Sequence, residues 1–213
     1  LKAQRVDGII IASSHVPSAT LIDCADAEMP IVVVHRQIAA PHISSITTDI
    51  QRATKMVTNY LFGSLHTAIG LLTRPGDPKT IRHVQGYQRA FSERDIPYED
   101  SWIVQAKPSL RGGYDAAREL LTNHPDITAI FAYNDIMAMG AMKACFDLGY
   151  KIPQDIAVFG YDDVELASYV RPTLSTVRFH SRYVGKLATE RLLAMIKQPE
   201  TIFPTLVVDM ELV

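Results

Sequence analysis

The chain has 213 residues, 47% hydrophobic and 21% charged, with a formal net charge of −2. That is ordinary for a globular protein able to bury a real core, and it gives this segment no basic footprint for nucleic acid. No apolar run approaches the roughly 20 residues that span a bilayer, and Leu1 opens no signal peptide.

Leu1–Arg5 reads as the end of a helix feeding straight into a strand, Val6–Ile11. A parallel strand this apolar needs neighbours on both sides and helices on both faces, so the chain is expected to begin inside a domain. Ser13-Ser14-His15 follows, either a plain polar loop or a group facing a ligand cleft. A short helix, Ala19–Ala27, leads to the strand Ile31–His35. Ser44–Thr48 suits a short edge strand, and Asp49 is placed to cap a helix Ile50–Leu61. Leu65–Thr73 is the first strand of a second lobe, and Arg74–Pro78, with two prolines and a glycine, is a loop. The helix Thr80–Arg94 puts Ile81, Val84, Tyr87 and Phe91 or Ala90 on one face. Trp102–Gln105 is a strand, Lys107–Arg111 its loop, and Tyr114–Leu121 a helix ended before Pro125.

The stretch Ala129–Asp163 organises the rest. Ala129–Ala132 is a short apolar run of the kind buried in a parallel sheet. Asn134 and Asp135 follow, and either could cap the helix beginning near Ile136. That helix is apolar almost all round, with Lys143 and Asp147 on its wet side. Gly149 stands where a left-handed cap is wanted, Ile152-Pro153 makes a turn, and Ile156–Phe159 is the next buried strand. Asp162 and Asp163 come straight after it. In an open parallel sheet, ligands sit outside the carboxyl ends of the strands, so Asn134 and Asp162 are expected side by side at a cleft. Asn offers a donor and an acceptor and ionised Asp only acceptors, a pair suited to a ligand rich in hydroxyls or ring nitrogens. The plainer reading, helix cap and turn former, stands beside it. Phe179–Lys197 is an amphipathic helix and Phe203–Leu212 an alternating strand. Lobe crossings near Gly63, Val177 and Pro199 give lobes of residues 1–63 with 178–198 and 64–177 with 199–213.

Several motifs then occur in order: Asn134-Asp135-x-Met137-Ala138-x-Gly140-Ala141, Ile152-Pro153-x-Asp155-Ile156-x-Val158-x-Gly160-Tyr161-Asp162-Asp163, and Arg171-Pro172-x-Leu174-Ser175-Thr176-Val177. Together they resemble the effector-binding core of the lactose-repressor (LacI) family of transcription regulators. Val6–Ile11, Met29–Val34, Asp49 and Gly86-Tyr87 fit earlier parts of the same pattern. The resemblance implies an α/β, two-lobed, periplasmic-binding-protein-like (type I) fold, each lobe a doubly wound parallel sheet, with the N-terminal part absent from this chain. It implies a small sugar-like or purine-like effector between the lobes, a homodimer, a cytoplasmic location, and operator DNA read by a helix-turn-helix outside this chain. The effector would be met by Asn134, Asp162, Asp49, Ser13 and the Arg82/His83 pair. Here the sequence departs from the family, which carries an arginine three residues before its Gly-Tyr, where this chain has His83. Imidazole cannot grip a carboxylate or vicinal oxygens in a fork as guanidinium does, so either Arg82 swings in or the effector differs. Pro108 stands where family members often stack an aromatic ring.

Enzyme chemistry finds no foothold. There is no Gly-rich phosphate loop or Gly-x-Ser-x-Gly elbow, the seven His lack metal-ligand spacing, and no cofactor or metal is expected. Cys24 and Cys145 are isolated in apolar surroundings, which suits buried thiols in a reducing cytosol better than a disulfide framework. The alternative function is a periplasmic sugar-binding receptor of a transport system, which shares the hinged architecture.

Overall fold

The computed structural model describes residues 6–13, 16–25 and 28–213. The expectations for Leu1–Arg5, Ser14, His15 and the last two residues of the first helix fall outside these. The chain divides into two compact units, Leu1–Asp49 with His180–Asp209 and Ile50–Phe179 with Met210–Val213.

The first unit carries a parallel sheet in the order β1-β2-β3-β9, with β1 Ile9–Ile11, β2 Ile31–Val34, β3 Ile43–Thr48 and β9 Leu206–Val208. Two helices belong to it, α1 Ser18–Ala25 and α6 Ser181–Lys197. All residues of β2 are buried, as a strand covered on both faces requires. The expectation of an edge strand at Ser44–Thr48 is corrected: β3 is interior, buried along its whole length. Its small hydroxyls can be inside because they are satisfied there. Ser45 Oγ accepts from Ile38 N at 3.0 Å, and Ser44 Oγ accepts from Arg191 Nη1 of α6 at 2.9 Å.

The second unit holds a parallel sheet ordered β5-β4-β6-β7, from β4 Ile69–Thr73, β5 Ile103–Gln105, β6 Ala129–Ala132 and β7 Ala157–Phe159. Its helices are α2 Ile50–Gly63, α3 Pro78–Ser92, α4 Leu110–Asn123 and α5 Asp135–Asp147. An antiparallel ribbon of β8 Val177–Arg178 and β10 Glu211–Leu212 completes it. Tyr87, Phe91, Phe131, Ile69, Leu71 and Ile130 are fully buried at its centre.

Helix starts follow local chemistry. Asp77, Ser109 and Asn134 sit just before α3, α4 and α5 in extended backbone, and each side chain accepts an amide of the first turn. Helix α4 therefore begins at Leu110, through Gly112 and Gly113, where a loop to Arg111 was expected. Gly113 and Gly140 let α4 and α5 touch backbone to backbone: a Cβ at Gly113 would lie 2.1 Å from Met137 O, and one at Gly140 2.1 Å from Leu110 O. Gly149 ends α5 at φ +88°, the left-handed stop read from the sequence.

The buried face of α3 is also corrected. It is Thr80, His83, Gly86, Tyr87, Ala90 and Phe91, whereas Ile81 is 61% exposed. Gly86 sets this rotation, because a Cβ there would meet Gln51 O of α2 at 2.3 Å. The unit boundaries differ from the sequence reading too. Helix α2 packs with α3 in the second unit, and Phe203–Leu212 is not one strand: β9 joins the first unit's sheet and β10 the second unit's ribbon.

Candidate functional site

The polar groups of the second unit gather beyond the carboxyl ends of its strands, where a doubly wound sheet offers a ligand its crevice. Strand β4 leads to Arg74 and Asp77, β6 to Tyr133 and Asn134, and β7 to Tyr161 and Asp162. Because β6 and β7 are paired neighbours, Asn134 and Asp162 leave adjacent strands at the same edge, and the Asp135 amide donates to Tyr161 O at 2.9 Å.

Asn134 is the cap of α5: its Oδ1 accepts from Met137 N at 2.9 Å. One carbonyl oxygen is thus committed, and the side-chain NH2 is not engaged by any described residue. Asp162 is held by its backbone, whose N–H donates to Val177 O at 3.0 Å. Its carboxylate is open to solvent on one side yet crowded by protein on the others. Burial, and then the nearby Asp135 carboxylate, push its pKa up to about 7, against the pull of Lys79.

Asp135, weighed in the sequence only as a cap, is a buried brace. Thr176 Oγ1 donates to its Oδ1 at 2.5 Å and Val164 N to its Oδ2 at 2.8 Å. Burial raises its pKa, with those two hydrogen bonds opposing. A Cβ at Gly160 would lie 2.2 Å from its Oδ1, so only glycine leaves room for this carboxylate.

His83 is buried, 2% exposed, with Nδ1 2.8 Å from Thr54 Oγ1 of α2 and its ring among Phe131, Tyr133 and Tyr161. Burial first, then the Lys79 ammonium, push its pKa down to about 4, with Asp77 opposing. The imidazole is therefore neutral at pH 7. Arg82, one residue earlier, is exposed on the other side of α3. Tyr133 Oη donates to Asp77 Oδ2 at 3.0 Å, and Arg74 Nη1 lies 3.3 Å from the same oxygen, so this cation and anion offset each other at the edge. Tyr133 and Asp77 stand at this same edge, and the sequence reading did not single them out. Their signal was available: Tyr133 directly follows the apolar run of β6, and Asp77 precedes a proline at a helix start.

Ser13 and Asp49 belong to the first unit, each just past the carboxyl end of a strand, β1 and β3; Asp49 is exposed and directly precedes α2. A cavity of about 210 Å³ in the same unit lies at the opposite, amino ends of β2 and β3. Pro30, His42, Met195, Glu200 and Phe203 line it, and none of the residues expected to meet an effector does. Among the described residues there is no cluster of His, Cys, Asp or Glu fit for a metal ion, and no helix long and apolar enough to cross a membrane.

Residues 58–213 match the periplasmic binding protein-like domain. The chain is 31% identical to the HTH-type transcriptional repressor PurR of Aliivibrio salmonicida, over 92% of this chain and 60% of that repressor. It is 33% identical to the ribose operon repressor of Haemophilus influenzae, over 98% of this chain and 63% of that protein. A LacI family transcriptional regulator from Enterococcus faecalis, solved with bound ribose, matches with a TM-score of 0.86 and 27% identity, covering 99% of this chain and 76% of that one. The chain belongs to the LacI family. It carries that family's periplasmic binding protein-like domain, and it spans about three fifths of the length of these curated repressors. The LacI-type fold explains the two parallel-sheet units and the ribbon from chain segments distant in sequence. It also gives the carboxyl-edge polar groups a common setting.

Proposed function

We propose that this chain is the effector-sensing part of a LacI-type DNA-binding regulator. A small, uncharged, hydroxyl-rich effector binds at the carboxyl edge of the second unit's sheet, where Asn134 donates through its free NH2 and Asp162 accepts ligand hydroxyls. The observation that carries this reading is the pairing of those two uncommitted groups on adjacent strands. The neutral, buried His83 supports an uncharged effector, since it supplies no cation for a carboxylate. Arg82 is an exposed cation on α3 that a bound effector could recruit. A regulator rather than a transport receptor is supported by the repressors among the relatives. In this reading the protein is cytoplasmic and a homodimer, with operator DNA read by a helix-turn-helix, and it is not an enzyme.

The experiment is a calorimetric titration with ribose, cellobiose, further neutral sugars and purine bases, repeated on Asp162→Asn and Asn134→Ser. Serine keeps a capping oxygen for α5 and removes the amide NH2 that would reach the ligand. Each variant is expected to weaken binding by roughly 10- to 100-fold, the cost of leaving a ligand group unpaired. Unchanged affinity in both would show that the effector sits elsewhere. Sedimentation tests the homodimer, and a strict monomer for the complete protein would count against it.

A further inference from the structure

Asp162 and Asp163 both lie in the left-handed region, at φ 111° and 53°. Asp tolerates that backbone better than most residues, but it persists only where the surroundings hold it. Two sets of contacts do so. Beneath the turn is the buried Asp135, which accepts from Val164 N and Thr176 Oγ1, while Asp163 N donates to Thr176 Oγ1 at 3.4 Å. At its outer side is Arg178. Its Nε donates to Asp163 Oδ2 at 2.5 Å, and its Nη1 donates to Glu211 Oε1 at 2.9 Å.

These partners lie on the two strands of one ribbon. Arg178 is in β8, shortly before the chain enters the first unit at His180, and Glu211 is in β10, shortly after it returns at Met210. One planar guanidinium can meet two carboxylates through different N–H groups at fixed angles, which a single ammonium cannot do. Arg178 is half exposed whereas Asp135 is buried, so Asp135 is a rigid base and Arg178 an adjustable clasp.

We propose that Arg178 is a positioning residue for Asp162, clasping the Asp162–Asp163 turn to the β8–β10 ribbon that carries the chain out of this unit and back. The proposal rests on the reading of Asp162 as an effector contact. Its consequence is that any tilt of the turn when Asp162 engages a ligand is passed through Asp163 to Arg178 and on to Glu211, at the two strands nearest the crossings.

The test needs no ligand. Amide hydrogen exchange and carboxyl NMR titration are measured on the complete protein, in the parent, Arg178→Met and Arg178→Lys. In Arg178→Met, exchange at the Asp163, Val164, Thr176 and Val213 amides should quicken roughly 3- to 10-fold, as expected for losing one charge-assisted anchor. Amides of β4 and β6 should be unchanged. The Asp162 titration midpoint should move down from near 7 as the turn leaves Asp135, and Arg178→Lys should restore part of both effects. Unchanged exchange and an unchanged Asp162 midpoint in Arg178→Met would overturn the proposal, as would a rise spread equally over β4 and β6. Failure of the effector site itself would show differently, as sugar binding that survives Asp162→Asn.

Discussion

Acid should destabilise this protein through His83, and the size follows from its burial. The imidazole is 2% exposed with a pKa of about 4, against 6.5 for an ordinary histidine. A histidine depressed on folding binds fewer protons in the folded state than in the unfolded one across that interval. Its contribution is therefore fully present above the unfolded pKa and lost as pH falls from about 6.5 toward about 4. The whole shift corresponds to about 3 kcal/mol, of which about 2 kcal/mol should be lost between roughly pH 7 and pH 4.5. The perturbation that isolates it is His83→Gln, which keeps a polar group for Thr54 but does not titrate. Urea unfolding followed by the fluorescence of Trp102, the one tryptophan in the chain, gives stability at each pH. The parent should lose about 2 kcal/mol relative to the variant on acidification. Parallel pH profiles for the two proteins would refute the assignment of a buried neutral imidazole.

Asp162 should act in the opposite sense. Its raised pKa means that protonation favours the folded state between about 4 and about 7, so Asp162→Asn should remove a component of stability that grows on acidification, measured by the same unfolding curves. Gly140→Ala should cost about 1–3 kcal/mol because its methyl would drive into Leu110 O. Gly185→Ala in α6, with open space at the Cβ, should gain about 0.5–1 kcal/mol; thermal denaturation of the pair checks both signs, and equal shifts would contradict the packing. Thr176→Val should cost about 1–3 kcal/mol by leaving the buried Asp135 carboxylate short of a donor, and a neutral result in denaturant would mean Asp135 is not braced from that side.

The β6–α5–β7 unit was legible because its signals are local: an apolar run, a capping Asn134, and a Gly149 that only a left-handed stop explains. The placing of Asn134 beside Asp162 followed from the general rule for parallel sheets. What could not be read came from tertiary contacts. Ser44 and Ser45 look like edge residues until Arg191 and Ile38 are seen to satisfy them. The face of α3 depends on Gly86 meeting Gln51, a residue far away in sequence, and so Ile81 was read onto the packed face that His83 in fact occupies. Phe203–Leu212 alternates like one strand, yet its halves pair with β3 and β8, and no pattern within the segment marks the division. Arg178, Glu211 and Asp163 are separated by up to 48 positions, and only the folded ribbon brings them together.

The most direct test of the account is the affinity of the complete protein for its operator, measured by fluorescence anisotropy with and without the effector found by titration. The account predicts a change of at least ~5-fold, the lower end of ordinary allosteric coupling, and its loss in Asp162→Asn. Operator affinity that is indifferent to a saturating effector would contradict it.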